Sequence, residues 1–395
     1  MPIHSTKGSV LQSASAKKLA YLVLLLGLAV DACSDDGNGM TDPNPDPDPT
    51  FSIVGQGAIS GRLTSDLWVH GTAAYTGTLG QPGQAGNTLF VWDISTPQSP
   101  VLVDSVLVDA RTVNDVKIRS DGAIGVITHE GSFDGLNGIT LLDLSDPLAP
   151  GVLSRFTSGI EIGVHNVWIE GDYVYVAVDG SGPSAGLRVI DIADPRNPVS
   201  VANFYAGSSF LHDVYVRDGL AFLSHWNAGL VILDVGNGVA GGSPESPVEV
   251  GRVVTAGGQT HNAWYWPGGE LVFVGEEDFQ TPGVIHVVDV SDLANPIEVA
   301  TYAVPGITPH NFWVDEQNAV LYVGWYEAGL RAIDVSGNLS GVLSAAEREV
   351  GRFSYDGQGT CASGAGTCAW APQLHGGLVY VADLNSGLWV LRSEF

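Results

Sequence analysis

A closed, all-β ring of repeated four-stranded units is the architecture this sequence predicts, and three observations carry the prediction. Short runs rich in Val, Ile and aromatic residues recur along the chain, parted by Gly, Asp and Pro turn signals. These runs fall into seven units at a nearly constant interval. The last unit is one strand short, and the start of the same region holds a spare.

The clearest unit is residues 164–205, VHNVWIEGDYVYVAVDGSGPSAGLRVIDIADPRNPVSVANFY, with strands expected at 164–169, 173–178, 187–192 and 199–204. Such a meander cannot cover both of its faces, so copies of it must pack on either side. Alignment on His165 places the equivalent residues at Ser65, Asn114, His212, His261, His310 and Trp370, giving successive intervals of 49, 51, 47, 49, 49 and 60 residues. Each unit carries a late apolar run: LFVWDIS, ITLLDLS, LRVIDIA, LVILDVG, IHVVDVS, LRAIDVS and finally LWVLRSE. A period of this length with four strands per repeat is the mark of a β-propeller, here with seven blades.

The runs GLRVIDIADPRNP, GLVILDV and GLRAIDVS resemble the LVIVD repeat, a propeller repeat of bacterial and archaeal cell-surface proteins. The resemblance extends over residues 51–395. It implies a fold and a surface address, and no particular activity.

Blade 7 offers three strands, near 371–374, 378–382 and 388–391. Residues 51–57 precede Ser65 at the spacing by which residues 249–252 precede His261, so they are expected to supply its outer strand and close the ring. The long last interval comes from a Gly-rich insertion holding Cys361 and Cys368. In an exported protein this pair is most simply a disulfide, since a Cys-only metal site would need further ligands and a redox motif is tighter.

Ahead of the propeller, Lys17 and Lys18 precede an apolar run over residues 19–30, too short for a typical membrane span and suited to an export signal. Val30-Asp31-Ala32-Cys33 resembles the lipobox of bacterial lipoproteins. That resemblance implies cleavage after residue 32 and acylation of Cys33, with Ser34 suiting the outer membrane; the alternative is a plain secretory signal. Residues 33–50 are acidic and Pro-punctuated, and are expected to be a disordered tether. The domain organisation is therefore signal 1–32, tether 33–50 and propeller 51–395.

The chain has 16 Lys and Arg against 43 Asp and Glu, a net charge of −27. That field disfavours nucleic acid and anionic lipid and favours metal cations or basic partners. A monomer is expected, bound to the membrane through its lipid alone.

Chemistry is sought where loops enter the first strands and leave the second. One set is the alignment column, with His165, His212, His261 and His310 in consecutive blades. The other follows the second strands: His129 with Glu130, Asp179, His225, Glu276 with Glu277 and Asp278, Glu327 and Asp383. Imidazole and carboxylate together suit Zn, Cu or Fe, and His165, His212, His261, His310, His129, His225 and Glu276 are the candidate metal ligands. The competing reading is structural, with the repeated His tying blade to blade. Trp226, Trp325 and Tyr326 are candidate recognition aromatics on the same face, whereas Trp68, Trp168, Trp264 and Trp313 are expected to pack between blades. The repeated Asp of the VID-type runs is expected to cap the turn that follows. The sequence holds no P-loop and no HExxH, and no catalytic residue is nominated. The expected function is a non-enzymatic binding or scaffold module at the bacterial surface, taking a protein or other surface ligand. The alternative is a metal-dependent enzyme or metal carrier built on the axial His and carboxylate cluster.

Overall fold

β-branched residues in runs of about six, each broken by a tight turn, favour antiparallel meanders over any helical alternative. The computed structural model shows this outcome, and describes residues 50–180, 182, 185–207, 210–355, 361 and 366–395. The signal segment, Cys33 and the tether through residue 49 lie outside the described residues.

Among the described residues there are seven sheets, one for each unit, and in blades 1 to 6 the strands of a meander pair in sequence order. Blade 3 is typical, with strands Val164–Glu170, Tyr173–Val178, Gly186–Asp191 and Val199–Phe204. Blade 7 is made of Ala369–His375, Leu378–Asp383 and Gly387–Ser393, completed by Phe51–Ala58 from the other end of the domain. The closing strand is antiparallel, with Phe51 opposite Ser393 and Ala58 opposite Gly387. Blade 5 departs from the expected four strands: Gly341–Val342, from the long third turn of blade 6, adds a short parallel fifth strand at its edge.

The core lies between blades. Each of the seven blade interfaces has its own cluster of buried side chains, such as Leu187 and Val189 of blade 3 against Leu223 and Val231 of blade 4. The second and third strands are buried on both faces, and the outer strands are largely exposed. Burial of each such aliphatic side chain is worth about 1.5–3 kcal/mol, so interface packing dominates the stability. The turn Asp residues behave as expected: Asp93, Asp143, Asp191, Asp289 and Asp334 each accept the backbone N–H two residues on, at 2.8–2.9 Å.

Candidate ligand and metal site at the propeller axis

The alignment column is a row of β-bulges. In blades 1, 3, 4, 5 and 7 the pairing of the first and second strands slips at this position, for example between Val164 and Asn166 and between Leu211 and Asp213. A bulge leaves one residue out of the ladder and re-aims its side chain. Here it turns the column toward the axis and the neighbouring blade.

The result is a stack of rings around the channel mouth. Centroids lie 4.2 Å apart for His165 and His212, 4.2 Å for His212 and His261, 4.4 Å for His261 and His310, and 4.1 Å for His310 and Trp370. Several members tie their blade to the next by a hydrogen bond to its backbone. Ser65 Oγ donates to the Val113 carbonyl (2.6 Å) and Asn114 Nδ2 to the His165 carbonyl (3.0 Å). Nδ1 of His212 donates to the His261 carbonyl (2.9 Å) and Nδ1 of His310 to the Trp370 carbonyl (2.8 Å). A carbonyl can only accept, so in both rings Nδ1 carries the proton and a neutral ring presents its lone pair at Nε2.

Strand alternation divides the second candidate set into two. In blades 2 to 5 residues at the last position of the second strand turn into the blades and those one step later turn toward the axis; in blade 6, where that strand ends at Gly324, the corresponding pair is Trp325 and Tyr326. Glu130 Oε1 stands 2.7 Å from His165 Nδ1, and the Trp226 ring 5.3 Å from that of His212. Glu277 Oε2 lies 3.8 Å from His261 Nε2, and the Tyr326 ring 4.9 Å from that of His310. The Tyr326 hydroxyl donates to Glu277 Oε1, linking blades 6 and 5. Asp179 is held beside the column by Gly163, whose φ of +146° and whose closeness to the Asp179 carboxylate leave no room for a Cβ.

His129, His225 and Glu276 therefore do not join the axial histidines. His129 Nε2 bonds Thr140 Oγ1 at 2.8 Å, and Glu276 accepts from the Val284 backbone at 3.2 Å with His286 at 3.6 Å. His225 is fully buried with neither nitrogen hydrogen-bonded. Trp325 also faces inward: it is fully buried, donates to the Ile307 carbonyl (2.9 Å) and packs on Tyr302. Of the three aromatics, Trp226 and Tyr326 are on the axial side. Asp383 caps its own turn and accepts from Cys368 N at 2.6 Å; Cys368 is joined to Cys361 by a disulfide.

The environments split the four histidines. Burial disfavours the charged form of His165, but Glu130 overrides it and raises the pKa to about 9. Burial and the surrounding imidazoles press His212 well below its ordinary value, and burial brings His261 and His310 to about 3. Burial lifts Asp179 to about 7, with Glu130 adding to the effect.

Two further axial layers follow, of which the sequence singled out only the four Trp, as packing between blades. One residue after the column come Asp66, Asp115, Asn166, Asp213, Asn262 and Asn311, and three residues after it come Trp68, Lys117, Trp168, Tyr215, Trp264, Trp313 and Gln373. Lys117 Nζ reaches Asp66 Oδ2 at 2.7 Å and also bonds Asp115 Oδ1. Gln373 clasps both backbone groups of Val69, at 2.6 and 2.9 Å. The Trp side chains do more than pack between adjacent blades: Trp68 meets Trp168 at 5.7 Å and Trp313 at 6.1 Å, and blades 3 and 6 do not adjoin blade 1. These rings line and narrow the channel. Asp and Asn at +1 and an aromatic at +3 recur in most units, a signal that was present in the sequence.

A family model of the LVIVD repeat matches residues 61–108, 163–205, 211–255 and 283–304. These matches fall on blades 1, 3 and 4 and on the later strands of blade 5. No curated protein matches the chain. Repeat sequence and blade geometry agree: the chain carries LVIVD repeats and folds as a seven-bladed β-propeller.

Proposed function

We propose that this protein is a non-enzymatic binding module of a bacterial envelope, anchored through an acylated Cys33 and the 33–50 tether, and that its partner docks on the end of the ring where the histidine column opens. The observation that carries this reading is where exposed apolar side chains fall. Phe133 (90% exposed) and Phe279 (69%) sit on loops between second and third strands, and Val254 (60%) and Ile162 (57%) on loops entering first strands. All four are at the same end, around Glu130, Asp179 and Glu277; the turns of the opposite end contribute Val239 and Val342, and most of the other exposed apolar side chains, such as Val101, Val199 and Ile297, lie on the outer strands. Four exposed apolar side chains on loops around one channel mouth, next to its carboxylates, suit protein contact there. The carboxylates and the net charge of −27 favour a partner with a basic, apolar-centred surface, captured faster at low salt.

Photo-crosslinking side chains placed at Phe279 and at Val239 of the full chain in intact cells test this. A discrete adduct from position 279 and none from 239 is expected, and equal labelling from both ends would contradict it. Cys33→Ser is expected to abolish lipid labelling and release the protein from the membrane fraction. Retention of both would remove the anchor from the account.

A further inference from the structure

At one point of the axial column, two imidazole nitrogens and a carboxylate oxygen face one another. His212 and His261 present ring nitrogens, and Glu277 a carboxylate oxygen, with the three ligand atoms within 4.8 Å of one another. The gap of 3.8 Å between His261 Nε2 and Glu277 Oε2 is too long for a hydrogen bond. It is a separation that two ligands of one ion can have, since donors at about 2.0–2.2 Å from a shared centre can stand up to about 4.2 Å apart. His261 Nδ1 and the adjacent Asn262 Oδ1 are buried, at 2% and 3% residue exposure, and neither makes a hydrogen bond of good geometry.

Two of the three ligand atoms are oriented by a second group. His212 Nδ1 is tied to the His261 carbonyl at 2.9 Å, which turns Nε2 away from that bond as a lone pair. Glu277 Oε1 is held by the Tyr326 hydroxyl, leaving Oε2 for the site. Such outer partners are what fix metal ligands in place. His212 and His261 also line a cavity of about 20 Å³, room for one ion or water. Of the other two column histidines, His165 is paired with Glu130 at 2.7 Å, and His310, tied through Nδ1 to the Trp370 carbonyl as His212 is to that of His261, is not among the three residues whose ligand atoms come together.

We propose that His212, His261 and Glu277 form a site for one divalent first-row transition ion, with Tyr326 as a positioning residue and open coordination positions facing the channel. Two imidazoles and one carboxylate suit Zn²⁺, Co²⁺, Fe²⁺ or Cu²⁺ and disfavour Mg²⁺ and Ca²⁺, which take all-oxygen shells. Gathering the three atoms onto one ion takes side-chain shifts of less than an ångström. The site stands whether or not a partner docks on the surrounding face.

The test is titration of the chelator-treated full chain with Co²⁺, followed by visible absorption, and competition by Zn²⁺. One equivalent with ligand-field bands and displacement by Zn²⁺ is expected. Glu277→Gln, which keeps an acceptor for Tyr326, and His261→Asn should each weaken binding at least about 100-fold, while Tyr326→Phe, a loss of orientation only, should weaken it about 10-fold. Circular dichroism of each variant reports the fold. His129→Gln, at an imidazole bonded to Thr140 and away from the axial column, serves as the control and should leave the affinity unchanged. Absence of stoichiometric binding by the folded chain would overturn the proposal. So would Co²⁺ affinity that survives both Glu277→Gln and His261→Asn, which would place the ion on the acidic surface.

Discussion

The two polar layers of the propeller axis differ in how completely they are satisfied. In the lower layer Lys117 bridges Asp66 and Asp115, Asp115 Oδ2 accepts the Val167 N–H of the next blade at 2.8 Å, and Asn311 Nδ2 reaches Asp66 Oδ1 at 3.2 Å. In the upper layer His261 makes no hydrogen bond of good geometry through Nδ1 and faces Glu277 across 3.8 Å. Repetition put polar groups in both. The Lys117 cluster spends its polar atoms on holding blades together, whereas His261 Nδ1 and the neighbouring Asn262 Oδ1 have no well-formed partner, so satisfaction of partners separates structure from a candidate site better than recurrence does.

The largest effect is expected where both layers are held at once, at the ring closure. Deletion of residues 50–58 removes the outer strand of blade 7 and the packing of Phe51 on Tyr322 and Phe395, at centroid distances of 6.3 and 5.5 Å. Loss of the single cooperative unfolding transition in calorimetry is the expected outcome; an unchanged transition would mean the closure is dispensable. Next comes Lys117→Met, which leaves the buried Asp66 and Asp115 without their cation. Breaking a buried ion pair from one side costs about 3–5 kcal/mol, to be read from urea unfolding.

A smaller effect separates His165 from its neighbours. Its pKa of about 9 stands above the ordinary 6.5, so the stabilisation it draws from Glu130 is complete below pH 6.5 and is lost as pH rises through 9. With the side chain a quarter exposed, this is on the order of 2 kcal/mol, and Glu130→Gln should flatten that alkaline decline. His212, His261 and His310 have the opposite sign. Their folded pKa values lie below 6.5, so stability present above 6.5 falls as the pH drops toward their folded values. The smallest effect is expected at His261 in the metal-free protein: His261→Asn should cost about 1 kcal/mol, as no well-formed hydrogen bond through Nδ1 is lost.

The strand period, the number of blades, the closure by the N-terminal strand and the Asp-capped turns were legible because each rests on local pattern: alternation, turn residues and spacing. The divided second set was not. His129 and Glu130 are adjacent, and which one faces the axis depends on pairing register, where a slip of one residue exchanges the faces. The bulges compound this, since nothing local in Val164-His165-Asn166 announces an unpaired residue. The Trp column was read as blade packing because recurrence gives the strand and not the distance across the ring. The two-residue strand Gly341–Val342 is too short for any periodic signal.

The most direct test of the contrast within the axis is nitrogen NMR of the imidazoles across pH. The account predicts that His165 titrates near 9, that His261 and His310 titrate near 3 and that His212 titrates well below its ordinary value, with neutral His212 and His310 protonated at Nδ1. Four histidines titrating together near the ordinary value of about 6.5 would contradict it.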